Sequence, residues 1–395
     1  MKAHPKLLST PQEISQLAQS LSTRDLIAFD TEFIRETTFF PIVEIIQVAT
    51  DEESWLVDAQ AFNVDTLRPL LDVFESKKIL KIVHAAQGDQ ECLYTTFGVV
   101  ATPSMDTAVA ASLCGYGDAI GLGNLLKSML GVTIKKGHAR TNWSVRPLPP
   151  QLIEYAHVDV EHLALLGRKF LEKLDKLGRR EWAMELSAKW ENKALYEPDP
   201  EGIALKLAKG GRLDTRGYAA LIELLRWREM RVRQLNLPRR WVADDTVLLD
   251  LAHVRPKDLE HLAAFRGLNK GELKHSGEHI VSALKRASEA QDVKLPKMPR
   301  PDIPSGEESQ ALDLLSCYLG ILADRHNISV KHLVTAPQLM PLFRAGALTG
   351  PQDLVSEGLL SAGAAHLIGD EVIAFLQGKR ALSIQGSKVQ IVEVK

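Results

Sequence analysis

Cysteine is scarce in this chain: three residues in 395, at positions 92, 114 and 317. So few thiols, so far apart, exclude a disulfide framework and a cysteine-built zinc cluster, and they fit a reduced, cytoplasmic protein. No apolar run is long enough to cross a bilayer, and the opening MKAHPKLLSTPQEISQ lacks the apolar core of an export signal. Neither membrane insertion nor secretion is therefore expected. A strong charge of one sign is missing too. The formal charge of −2 argues neither for nor against a polyanionic partner, because a cluster of acids would offset a basic surface elsewhere. No sustained heptad pattern is present, so a monomer is expected.

What is present is an ordinary globular composition, 45% apolar and 25% charged, in a chain long enough for two or three domains. The apolar runs LIAFDTEFI (26–34), IVEIIQVAT (42–50), SWLVDA (54–59) and ILKIVHA (79–85) read as strands. Helical patterns fall at about 63–76, 88–97, 106–114 and 121–130. They are followed by a basic, proline-containing loop, KKGHARTNWSVRPLPP (135–150), and one long helix from about 150 to 176. Strands in a meander, then strand–helix alternation, predict a mixed sheet with helices on both faces. This module closes near residue 195, and YEPDPEG with Gly210 and Gly211 marks a connector. Residues 212–290 and 309–380 read as two groups of short helices of similar size, a degenerate repeat. They are joined by an extended tether, KLPKMPRPDIPSGEES (294–309). The final stretch, LSIQGSKVQIVEVK, can pair as a hairpin or fray.

The strongest local signal is Asp30-Thr31-Glu32 inside an apolar strand. Side chains alternate along a strand, so Asp30 and Glu32 share one face while Phe29, Thr31 and Phe33 share the other. Two adjacent carboxylates at a buried strand end repel one another and lose solvation, which a divalent cation relieves directly. Asp89 opens a helix just after ILKIVHA, and Asp159 lies in EYAHVDVEHLALL with Tyr155 four residues earlier on the same helical face. Each has a bland alternative: a first-turn acid favoured by the helix dipole, and an amphipathic helix with a half-buried tyrosine. Together, hard oxygen donors without Cys or His suit two divalent ions, Mg²⁺ or Mn²⁺. Such ions sit about 4 Å apart to clamp an in-line phosphoryl displacement. A phenol with an ordinary pKa near 10 suits orienting a water better than deprotonating it.

These segments, FDTEF (29–33), HAAQGDQECL (84–93) and EYAHVDVEHL (154–163), resemble in order the three motifs of the DEDD exonuclease superfamily, and specifically ribonuclease D. The likeness covers roughly residues 20–175 and extends to FFPIVEIIQ (39–47), PSMDTAVAA (103–111) and RTNWSVRPL (140–148). It implies an α/β ribonuclease H-like exonuclease domain over residues 1–195. It also implies a 3′→5′ exoribonuclease that releases nucleoside 5′-monophosphates from RNA 3′ ends, such as those of tRNA precursors. Tyr at 155, with Glu at 154 where another branch has His, puts the sequence in the Tyr branch with all four acids intact. LDTRGYAALIELLRWREMRVRQLNLPRRWVADDTVLLDLA (213–252) and RPKDLEHLAAFRGL (255–268) resemble an HRDC domain, taken over 210–290. SAGAAHLIGDEVIAFLQGKR resembles part of a second, divergent HRDC-like copy over 305–385. A DNA 3′→5′ exonuclease of repair type and a non-catalytic RNA-binding adaptor are the alternatives. An adaptor would be expected to lack a ligand, and none is lacking.

Further candidates are less specific. Asp106-Thr107 reads first as a helix cap, and His84 as a satisfied structural histidine or a substrate contact beside the site. Phe39 and Phe40 suit either a core pair or a platform on which a 3′-terminal base stacks. Lys135, Lys136, Arg140 and Arg146 form a basic loop ahead of Tyr155 where phosphates would arrive. Arg226, Arg228, Arg231, Arg233, Arg239 and Arg240 crowd one stretch of the first helical unit. They read as a solvated face or as a sequence-independent RNA-backbone contact.

Overall fold

The structure is a computed structural model, and it describes residues 7–35, 38–134, 141–210, 213–290 and 303–394. The N-terminal module opens with β1 (Leu7–Leu8) and α1 (Pro11–Leu21), followed by β2 (Leu26–Ile34), β3 (Ile42–Ala49), β4 (Ser54–Asp58), α2 (Val64–Glu75) and β5 (Leu80–Val83). It continues with α3 (Gln87–Phe97), β6 (Ser104–Asp106), α4 (Thr107–Leu113), α5 (Leu122–Leu130), α6 (Pro150–Glu161), α7 (Leu163–Leu177) and α8 (Arg180–Ala188). The six strands form one mixed sheet in the order β1-β4-β3-β2-β5-β6, with β2–β3 and β3–β4 antiparallel and β1–β4, β2–β5 and β5–β6 parallel. The expected long helix is two: at His162 the backbone leaves the helical region (φ −107°, ψ −1°), so α7 starts on a new axis. β1 and β6, two and three residues long, are too short to carry a period.

The two faces of the sheet are covered separately. Ile14, Leu21, Leu67, Leu71 and Phe74 of α1 and α2 bury Ile27 and Phe29 on one side. Leu26 and Ala28 pack on the other side, with α4, α5 and α7. Alternation therefore aims Asp30 and Glu32 at the side where α6 lies across β2, β3 and β4.

The expected connector YEPDPEG holds a helix, α9 (Pro200–Leu207), because Asp199 accepts from the Gly202 amide and Pro200 sits where a missing N–H costs nothing. Two helical units follow. The first is α10 (Thr215–Leu235), α11 (Arg239–Val242), α12 (Asp245–Val254), α13 (Leu259–Ala264) and α14 (Lys270–Glu289). The second is α15 (Gly306–His326), α16 (Val330–Leu333), α17 (Ala336–Phe343), α18 (Pro351–Ser356) and α19 (Ala362–Leu376), ending in the hairpin β7 (Arg380–Gln385) and β8 (Lys388–Glu393). Neither is a set of short helices alone. Each opens and closes on a long helix with three short ones between. Most of the tether lies outside the described residues. Among the described residues no helix is long and apolar enough to cross a membrane.

In both units the first helix ends on a left-handed asparagine, Asn236 (φ 46°) and Asn327 (φ 54°), the conformation Asn tolerates best after Gly. Both asparagines also touch the N-terminal module. Asn236 Oδ1 accepts from the Phe39 and Phe40 amides, both at 3.1 Å. Asn327 fills the space beside Gly115, where a Cβ would lie 2.2 Å from its Nδ2. The second unit is fused to the module through one apolar core that runs from α4, α7 and α8 into α15 and α19. Buried Arg179 donates to Leu113 O (2.6 Å) and His326 O (3.1 Å) across that junction. The first unit keeps its own core, to which the module lends Phe39. Gly115→Ala should therefore loosen the fused junction. Gly115 sits at φ 85°, so strain and collision together are expected to lower unfolding stability by about 1–3 kcal/mol in chemical denaturation.

Candidate active site

The cleft is built where β2 outruns its neighbour. β5 pairs with β2 only as far as Ala28, so the β2 edge beyond that point faces the start of α3. Asp89, in the first turn of α3, fills the gap: its Oδ1 accepts from the Thr31 amide (3.0 Å) and the Thr31 hydroxyl (2.6 Å). The turn that aims α3 is strained, with Ala85 at φ 59°. Asp106 braces it by accepting from the Ala85 and Ala86 amides at 2.8 and 3.0 Å while capping α4. The capping expected of Asp106 is thus half of what it does.

Four carboxylates meet there. Asp30 is held well above its ordinary range, first by burial and then by Asp89, Glu32 and Asp159. Burial, then Asp159 and Asp89, push Glu32 up to about 8. Asp159 is raised to about 6 by burial, against a hydrogen bond from Tyr155. Tyr155 itself is pushed up, by burial and then by Asp159 and Glu32, so its phenol keeps its proton at any working pH. α6 delivers both residues from one face, with Leu152, Ala156 and Val160 buried beneath. Among the described residues the cleft gathers acids with no cation among them, a costly arrangement unless a metal is to be held. Among the described residues no group of three or more His, Cys, Asp or Glu side chains stands close enough together to hold a metal ion as it is. The donor set, all oxygen and partly open, fits Mg²⁺ or Mn²⁺.

Other candidates land elsewhere. Arg146 binds Asp58 through two nitrogens (2.7 and 2.6 Å) and donates to Trp143 O (2.6 Å). Its charge is used within the fold rather than offered to phosphate, and it pins the loop that sets Trp143 beside Tyr155, ring centroids 6.1 Å apart. Lys135, Lys136 and Arg140 lie outside the described residues. His84 shares a 2.9 Å hydrogen bond with the Thr107 hydroxyl, and burial lowers its pKa, so it stands as a satisfied neutral histidine. Phe39 and Phe40 are half-buried, with Arg239 4.7 Å over the first ring and Arg233 5.0 Å over the second. Phe39 packs against the core of the first helical unit.

The arginine run is no single face. Successive positions on α10 turn by about 100°, which sends Arg228 into the interior against Asp245 (2.6 Å) and Arg231 to Glu272 (3.0 Å). Arg226 pairs with Glu201 and Glu223, Arg233 with Glu197 (3.5 Å), and Arg239 with Glu229 (2.6 Å). Arg240 is exposed. Sequence reasoning also passed over Thr31, Trp143 and Gln47. Thr31 lay in view inside the motif, but only the end of β5 reveals why its hydroxyl matters. Thr31→Val keeps the shape and removes one of two donors to Asp89. A hydrogen bond to a charged group contributes about 1.5–3 kcal/mol, so kcat is expected to fall roughly 10- to 100-fold in an RNA degradation assay, with little change in circular dichroism.

The comparisons agree with this geometry. Residues 5–175 match the family model described as a 3′-5′ exonuclease, and residues 219–284 match the HRDC domain. Ribonuclease D of Nitrobacter hamburgensis is 31% identical over 388 residues, 98% of this chain and 99% of its own. Ribonuclease D of Bartonella henselae is 34% identical over 85% of this chain and 82% of its own. The crystal structure of Escherichia coli RNase D, described as an exoribonuclease involved in structured RNA processing, superposes with a TM-score of 0.72 at 25% identity. That match covers 93% of this chain and 99% of the other. The chain belongs to the ribonuclease D family.

Proposed function

We propose that Asp30, Glu32, Asp89, Asp159 and Tyr155 are the hydrolytic centre of this 3′→5′ exoribonuclease, and that the four acids hold two divalent ions, Mg²⁺ or Mn²⁺. The observation that carries this is the convergence of four mutually repelling carboxylates, Asp89 buried and the other three half-buried, from β2, α3 and α6 on one cleft. When bound, the ions supply Lewis acidity and charge neutralisation for phosphodiester hydrolysis. Tyr155, protonated and tied to Asp159, orients the attacking water by hydrogen bonding and does not remove its proton. Trp143 behind it fixes the ring. Thr31 holds Asp89 in place through its amide and hydroxyl.

The substrate is an RNA 3′ end, and structured RNA such as a tRNA precursor is the finer reading, supported by the RNA processing attributed to the Escherichia coli relative. A second, divergent HRDC-like unit is supported by the repeated order of one long, three short and one long helix, and by the repeated left-handed Asn. Three unbridged cysteines support a reducing, cytoplasmic setting for a monomer. End-labelled RNA and DNA in Mg²⁺ and in Mn²⁺ test the activity. Mononucleotides should appear from 5′-blocked but not 3′-blocked RNA and vanish with chelator. DNA degraded as fast as RNA would overturn the RNA assignment.

A further inference from the structure

Gln47 is fully buried, and both polar atoms of its carboxamide lack a hydrogen-bond partner. An unpaired buried amide costs about 1–3 kcal/mol, and an apolar residue would suit the position better, since Ile45 and Leu56 pack in the apolar cluster under α6. Its place explains its retention. Gln47 on β3 is directly opposite Asp30 on β2, and cross-strand partners point to the same face. The carboxamide therefore lies on the cleft floor, beneath the helix that carries Asp159 and Tyr155. The carboxamide lies within reach of Glu32, although no fully formed hydrogen bond joins them.

Resting on the metal-centre reading above, we propose that Gln47 is a positioning residue whose amide orients the Glu32 carboxyl to receive a divalent cation. A carboxylate that holds a cation only accepts hydrogen bonds, and the buried, unpartnered Gln47 amide is a donor placed on the same cleft floor. The carboxylate is thereby fixed in one rotamer as the cation arrives, the usual office of a group behind a metal ligand.

The test is Mn²⁺ titration calorimetry on the full chain, with thermal unfolding in chelator and steady-state RNA degradation alongside. Gln47→Met preserves length and removes the amide. Its metal-free melting temperature should hold or rise, its Mn²⁺ affinity should fall about 10- to 100-fold, and kcat should fall with KM for RNA unchanged. Gln47→Asn keeps an amide one methylene short and should also bind Mn²⁺ more weakly, which covers a Met variant that does not fold. Wild-type Mn²⁺ affinity in the variant that folds would overturn the proposal. A wild-type protein that takes up no Mn²⁺ would instead overturn the metal centre itself, and the role of Gln47 with it.

Discussion

Asp30→Asn should lose RNA hydrolysis by about 10³-fold or more, while its metal-free form becomes more stable than wild type at pH 8. Both effects come from one cause. Asp30 is the acid most opposed by its surroundings, with burial, Asp89, Glu32 and Asp159 all resisting its ionisation. In the metal-free cleft its neutral form is favoured, and an asparagine is likewise neutral, without a carboxyl that must ionise. A cation, however, needs the anion. Removing one of four ligands takes away several kcal/mol of charge stabilisation in the transition state, and each 1.36 kcal/mol is a factor of ten in rate. Single-turnover degradation of 5′-labelled RNA, with thermal unfolding in chelator, reads both. Wild-type turnover in the variant would remove Asp30 from the centre. Asp159→Asn should lose activity to a similar degree, with a smaller gain in stability because fewer groups oppose its charge.

The legible part of this site was the part written in one dimension. Asp30 and Glu32 share a face by strand alternation, and Tyr155 and Asp159 share one by helical spacing, so two pairs were readable from local period alone. Asp89 and Thr31 meet across 58 positions, and their contact depends on where β5 stops, which no local pattern encodes. The ion pairs of the arginines of α10 and α11 and of Arg146 were hidden for a related reason. Charge runs look solvated until folding brings Glu229, Glu272, Asp245 and Asp58 alongside. Phe39 and Phe40 sit beside the motif, so a core pair and a platform for a base were equally open readings. Their partners, Asn236, Arg233 and Arg239, lie some two hundred residues on. The fold was easier, because the long apolar strands and amphipathic helices carry their own periodicity. The break at His162 and the two shortest strands do not.

Metal removal should reverse the sign of the pH dependence that the cleft imposes on stability. In chelator, folded Glu32 keeps its proton until about pH 8, whereas the unfolded chain releases it near its ordinary value of 4.5. Between those limits the folded state binds more protons, so its stability is highest at the acid end and is lost as pH rises. For Glu32 alone the loss by pH 8 is on the order of 4 kcal/mol, or on the order of 10 °C in melting temperature for a domain of this size. Asp159 contributes in the same direction between 3.8 and about 6. Half-buried His84, His326 and His332, and buried Lys81, all with lowered values, act in the opposite direction. The quantity to measure is therefore the difference between wild type and Glu32→Gln, in which those groups cancel. In chelator, wild type should fall progressively below the variant from pH 5 to pH 8. With saturating Mn²⁺ the order should invert above about pH 7, because the cation binds only the ionised ligands and its stabilisation grows as they lose protons. Parallel curves in chelator would mean that Glu32 is not held protonated in the cleft. The expected fall in chelator with no inversion in Mn²⁺ would mean that Glu32 does not hold the metal.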